Sequence, residues 1–128
     1  MNPEQTVREY LGAMERRDLA KAKGFLAPGF HMLFPGGKRF DTLEQLVESA
    51  KGRYRSAKKT YERFDIAGEV VYCFGNLYGE LLDGTPYSGI RFIDRFTVKD
   101  GKLVDQNVWN DMGERSAVIS AQGKRQNP

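Results

Sequence analysis

The sequence is poor in the residues from which disulfides, metal centres and thiol chemistry are built. Its 128 residues include one cysteine, Cys73, and one histidine, His31. A single cysteine excludes an internal disulfide, and with a single histidine it leaves no recognisable metal-ligand cluster, so no metal or cofactor is expected. Long apolar runs are missing too; none approaches the roughly 18 residues of a membrane helix. The opening MNPEQTVREY is polar and lacks the apolar stretch of a secretory signal. A cytoplasmic protein with no membrane partner is the expectation. Charge of one sign is also scarce: 20 basic residues against 17 acidic ones leave +3. One basic run, Lys51, Arg53, Arg55, Lys58, Lys59 and Arg63, falls at the end of an expected helix, where cations complement the helix dipole. With only Tyr54 and Tyr61 beside it, the run reads as a solvated helix end, and no nucleic-acid partner is expected.

What is present is punctuated clearly. Asn2, Pro3, Glu4 and Gln5 announce a first helix whose apolar face is Val7, Tyr10, Leu11 and Met14. Asp18 caps a short second helix, stopped by Pro28-Gly29. Phe30–Phe34 reads as a strand. Thr42 and Gln45 make a capping box ahead of a third helix with the stripe Leu43, Leu46, Val47, Ala50 and Tyr54. From Thr60 onward the pattern is nearly all strand: Tyr61–Ile66, then a long Glu69–Leu82 in which Gly75 and Gly79 predict bulges or sharp bending. A hairpin over Gly89–Asp111 follows, turning at Asp100-Gly101. Three helices and then antiparallel strands predict an α+β domain, one curved sheet folded over helices, spanning residues 1–115. The remainder, 116–128, is a polar tail expected to fray.

The chemistry concentrates in that hairpin. Period-two alternation puts Ile90, Phe92, Asp94, Phe96 and Val98 on one core face. A carboxylate among aromatics must be hydrogen-bonded, neutralised or functional, because an isolated buried charge is very costly. Tyr10, on the apolar face of the first helix, is either core with a bonded hydroxyl or a donor into the same pocket. Asp94 is either its structural partner, or the partner of a basic neighbour such as Arg95, or a site residue. Trp109 reads as packing or pocket wall.

The order of elements resembles the nuclear transport factor 2-like superfamily, whose members form a cone-shaped barrel with an internal pocket. VREYLGAMERRDLAKAKGFLAP and DGTPYSGIRFIDRFTVKDGKLVDQNVWND carry the resemblance, which covers Glu4–Gly113. The second segment is most similar to SnoaL-like members; the first, with FIDRF, is similar to ketosteroid isomerase. By that resemblance Tyr10 and Asp94 match the two hydrogen-bond donors to a developing enolate, Asp94 being kept protonated by its apolar surroundings. The position of the catalytic base falls on Phe34, which cannot take a proton, so steroid isomerisation by that mechanism is not implied. His31, three residues from Phe34, points to the opposite face of its strand. SnoaL-like cyclases place an acid in the last strand, which makes Asp111 a candidate. In the isomerase register Gln106, Val108 and Asn110 face inward, and a bulge would turn Asp111 inward instead. The resemblance implies catalytic Tyr10, Asp94 and Asp111, and a ligand wall of Met14, Met32, Phe34, Tyr54, Phe92, Gln106, Val108 and Asn110. It also implies a homodimer through the outer sheet face that carries Arg91, Ile93, Arg95 and Thr97. Two functions stand. One is an isomerase, cyclase or dehydratase acting on a small hydrophobic carbonyl or hydroxyl compound; the other is a binding protein using the same pocket without turnover.

Overall fold

Asn2 caps the first helix, α1 (Pro3–Glu15), and the Gln5 side chain accepts from the Asn2 N–H in return, a complete capping box with Pro3 in the first turn. The structure is a computed structural model and describes residues 1–116 and Ile119. Helix α1 buries the predicted stripe of Val7, Tyr10, Leu11 and Met14. Asp18 caps α2 (Leu19–Lys23) and Thr42 caps α3 (Leu43–Lys51). Gln45 Oε1 accepts from the Asp41 N–H at 2.8 Å, one residue before the donor that a capping box would use.

The strands are β1 (Leu26–Phe34), β2 (Lys38–Phe40), β3 (Tyr54–Ala67), β4 (Val70–Leu81), β5 (Pro86–Lys99) and β6 (Lys102–Asn110). They form one curved, unclosed sheet in the order β2-β1-β6-β5-β4-β3. This is the expected α+β layout, with one departure from an all-antiparallel sheet: β1 runs parallel to β6. Parallel neighbours need a long crossover, and here the rest of the domain supplies it. The Asp100-Gly101 turn has positive φ at both residues, 51° and 73°, as a two-residue type I′ hairpin requires. Along β5 the core face is the predicted one, with Ile90, Phe92, Asp94, Phe96 and Val98 all buried. Helix α1 packs on the concave face of the sheet, where its apolar stripe meets Phe30, Met32, Phe92 and Phe96.

Three strand boundaries differ from expectation. β1 starts at Leu26 and runs through Pro28-Gly29; its register with β6 shifts between Leu26 and His31, and that irregular stretch accommodates a residue with no N–H to give. β2 is too short to have shown a period in the sequence. β3 starts at Tyr54, not Tyr61. Gly52 ends α3, and the long β4 offers backbone partners as far as Leu81, opposite Tyr54. From Arg55 on the basic run therefore lies along an edge strand, with Lys51 in the helix and Arg53 in the turn between them. Residues 112–116 form a helical turn that reaches the first residue of the expected tail, and Ile119, within that tail, is buried beside Tyr87 and Ile90. Positions 117, 118 and 120–128 lie outside the described residues. No helix among the described residues is long and apolar enough to cross a membrane.

Gly75 and Gly79 mark the register shifts of β4, as their place in a strand predicts. A Cβ on Gly75 would stand 1.9 Å from the Thr60 carbonyl oxygen, and one on Gly79 would stand 2.1 Å from that of Ser56. Two bare Cα atoms thus let β3 fold closely over β4, which bends the sheet around its helices. Gly75→Ala should destabilise the protein by about 2–3 kcal/mol, the scale of overpacking against backbone that cannot yield. Gly113→Ala, where a Cβ meets nothing, should not. Urea denaturation checks both, and equal midpoints for the two variants would refute the close-approach account.

Candidate functional site

Between α1, α3 and the concave sheet lies a cavity of about 490 Å³. Its walls are apolar: Met14 from α1, Leu46 from α3, Leu77 from β4, and Phe34 with Phe40, edge to face at 5.3 Å. The inner polar groups are few, chiefly Tyr10, Lys59, Gln106 and Asn110. Apolar walls with a few convergent polar groups are the form a small-molecule site takes. Gln106 and Asn110 share the inward face of β6, opposite Phe96 and Phe92 of β5. Tyr10 is fixed by edge contacts with Phe30 and Phe96, at 6.3 and 6.0 Å, and its hydroxyl donates to Gln106 Oε1 at 3.5 Å. Burial raises the Tyr10 pKa; the Lys59 cation opposes this and the Asp94 anion adds to it. The phenol stays protonated and able to donate.

Asp94 is fully buried in the middle of β5. Its Oδ2 accepts a hydrogen bond from Lys59 Nζ at 2.7 Å, and its Oδ1 has no partner. Lys59 reaches there from β3, across β4, passing its ammonium 4.9 Å from the centre of the Phe92 ring. The Lys59 side chain is 28% exposed and borders the cavity, whereas Asp94 lies behind it. Burial works against the ammonium, but the Asp94 charge and hydrogen bond, with help from Tyr61, outweigh it and raise the Lys59 pKa. Lys59 is therefore a standing cation and a poor nucleophile. Burial, reinforced by Asp94, also pushes the Cys73 thiol up to about 12, and burial pushes Tyr61 up to about 12.

The structure gathers part of the expected site. Tyr10, Met14, Phe34, Tyr54, Gln106 and Asn110 line the cavity. Met32, Phe92 and Val108 do not line it; they are buried in the packed layer around it. Asp94 is not the apolar-shielded donor expected from the sequence, because Lys59 supplies a counter-charge and the carboxylate accepts. Asp111 is excluded from the cavity. β6 has no bulge near its end, Asn110 pairs with Phe92 and faces in, and Asp111 stands on the outer face with Arg91 Nε at 2.5 Å. Trp109 is likewise outside and half exposed. His31 takes its place with Asp105 on the face opposite Met32 and Gln106.

A sequence model of the SnoaL-like domain matches residues 7–106. The chain belongs to the SnoaL-like family. No curated protein matches it in sequence. Its fold is that of the nuclear transport factor 2-like superfamily. A protein of that kind from Burkholderia pseudomallei, of unknown function, superposes with a TM-score of 0.82 at 21% identity, over 93% of this chain and 98% of that one. TerC, co-crystallised with polyporic acid, gives 0.80 at 16% identity, over 92% and 98%. IdmH, a putative polyketide cyclase from Streptomyces antibioticus, gives 0.78 at 17% identity, over 94% and 99%.

The residue of this SnoaL-like site that sequence reasoning missed is Lys59, assigned instead to a solvated helix end. Counting back by two from Tyr61 would have placed it on the inward face, had β3 been recognised to begin before Tyr61. Removing one member of a buried ion pair strands the other, whereas replacing both with apolar groups does not. Lys59→Met should therefore cost the SnoaL-like domain about 3–5 kcal/mol, and Lys59→Met/Asp94→Leu should recover most of that loss. Urea denaturation of both variants at neutral pH reads the difference; additive losses would mean that the two side chains are not coupled.

Proposed function

We propose that this SnoaL-like chain is a small-molecule enzyme of the cyclase or isomerase kind, acting on a hydrophobic compound with a carbonyl or hydroxyl group. The observation that carries this reading is that Tyr10 and Lys59 line the same cavity, whose inner walls are largely apolar. Two donors at one oxygen stabilise the negative charge that develops when an enolate forms or when a carbon nucleophile adds to a carbonyl. Asp94 acts as a positioning residue, holding Lys59 charged and aimed without touching the ligand. Likeness to a putative polyketide cyclase supports a carbonyl-bearing ligand. Among the described residues no histidine lines the cavity, and Glu15 is its one carboxylate. The protein's part is thus electrophilic: it polarises the oxygen, and the carbon acid loses its proton to water or is acidic enough to enolise unaided.

The same lack of an inner base favours a second reading, a non-catalytic binding protein with Phe34 as plain wall. A panel of cyclic enones and linear 1,3-diketones, followed by absorbance and NMR, separates the two. Tyr10→Phe and Lys59→Met, judged in variants that keep the native circular dichroism, should each lower turnover by about 10²–10³. Ligands that bind the wild-type protein and are returned unchanged would establish the binding reading.

We further propose a homodimer through the outer sheet face. Phe74, Ile93 and Trp109 line a shallow hollow of about 460 Å³ there, with Arg95 5.5 Å from the Trp109 ring centre. Apolar and aromatic groups exposed together mark association surfaces. Trp109→Glu should turn a sedimenting dimer into a monomer, and a monomeric wild-type protein would dismiss this assembly.

A further inference from the structure

The mouth of the cavity carries a charge pattern that the polarised inner end does not explain. Its exposed charged residues are Arg17, Lys38, Arg53 and Lys58, with Glu15 the one acid among them. They come from the turn after α1, from β2, from the turn after α3 and from β3, so only the fold brings them together. Among the described residues none of the four cations has a carboxylate within ion-pair distance. Deeper in, the charge of Lys59 is matched by Asp94. Four cations against one acid leave +3 at the mouth, equal to the formal charge of the whole chain, so the remaining charges sum to zero. Two of the cations are also held in place. Lys38 Nζ donates to Ser49 Oγ at 3.1 Å, and Arg17 Nη1 donates to the Met14 carbonyl at 3.1 Å.

We propose that the cavity takes an amphipathic anion. Its apolar body fills the interior with a carbonyl or hydroxyl toward Lys59 and Tyr10, and its acidic group, a carboxylate or an ionised enol or phenol, stays at the mouth among Arg17, Lys38, Arg53 and Lys58. This rests on the small-molecule reading of the cavity given above. An acid at the mouth keeps its contact with water and so avoids the cost of burying a second charge. The low-dielectric walls focus the field of the four cations along the entrance, which draws an anion in and does nothing for a neutral molecule of the same shape.

Two fluorescent probes with one aromatic body test the charge directly: 8-anilinonaphthalene-1-sulfonate, an anion, and N-phenyl-1-naphthylamine, which is neutral. At low salt the anion should bind more tightly by about tenfold, an advantage that shrinks as salt screens the mouth. Arg53→Gln/Lys58→Gln should remove most of that advantage and leave the neutral probe's affinity unchanged. Lys99→Gln/Lys102→Gln, at the far hairpin, should leave both affinities unchanged. Competition by decanoate against decanol, and by 2-naphthoate against 2-naphthol, then reports the body: the acid that displaces the probe at lower concentration assigns a chain or a fused ring. Equal affinity for the two probes, or an anion preference that survives Arg53→Gln/Lys58→Gln, would overturn the anion and leave the cavity standing. If neither probe binds, the small-molecule reading falls, and the anion with it.

Discussion

The ion pair between Lys59 and Asp94 is the constraint on which the rest of this structure turns. A carboxylate in the middle of a core strand cannot stay charged without a partner, since effective desolvation costs several kcal/mol per ion. The partner comes from two strands away, across β4, so β3 must be wrapped over the sheet before the charge on β5 is met. That wrapping depends on the bare Cα atoms of Gly75 and Gly79, which admit the carbonyls of Thr60 and Ser56. Backbone geometry and buried charge are therefore one problem with one solution. A pair of this kind adds little stability over well-packed apolar side chains. We read its value as functional: it holds a cation at the cavity wall.

The sheet separates two chemistries by alternation. Its concave face carries donors, Lys59 and the amides of Gln106 and Asn110, among apolar walls, and meets Tyr10 of α1 there. Its convex face carries aromatic and aliphatic groups and the Arg91–Asp111 pair. One residue's slip in β6 would exchange Asn110 for Asp111 and give the cavity an acid. The register Phe92 with Asn110 rules that out and leaves the site rich in donors and poor in bases. Such a site suits reactions limited by charge developing on oxygen more than by proton removal from carbon.

Much of the fold was legible in the chain. Caps at Asn2, Asp18 and Thr42, the stripe on α1, and the Asp100-Gly101 hairpin are local signals, and the structure keeps each of them. The burial of Tyr10 and Asp94 followed from period alone. Their companions did not. Lys59 sits in a stretch of lysines and arginines whose local pattern reads as solvated surface, and β3 is strand there only because β4 is long enough to pair with it. The cationic mouth draws its residues from four separate segments, so no window of sequence contains it.

By itself, then, the sequence determined the α+β class, the helix starts set by caps and the core face of β5, because all of these depend on neighbours within a few residues. Tertiary structure decided the partner of Asp94, the exclusion of Asp111, the parallel seating of β1 on β6 and the charge at the cavity mouth. Each of those rests on which distant backbone lies alongside and in what register, and local periodicity carries no information about either.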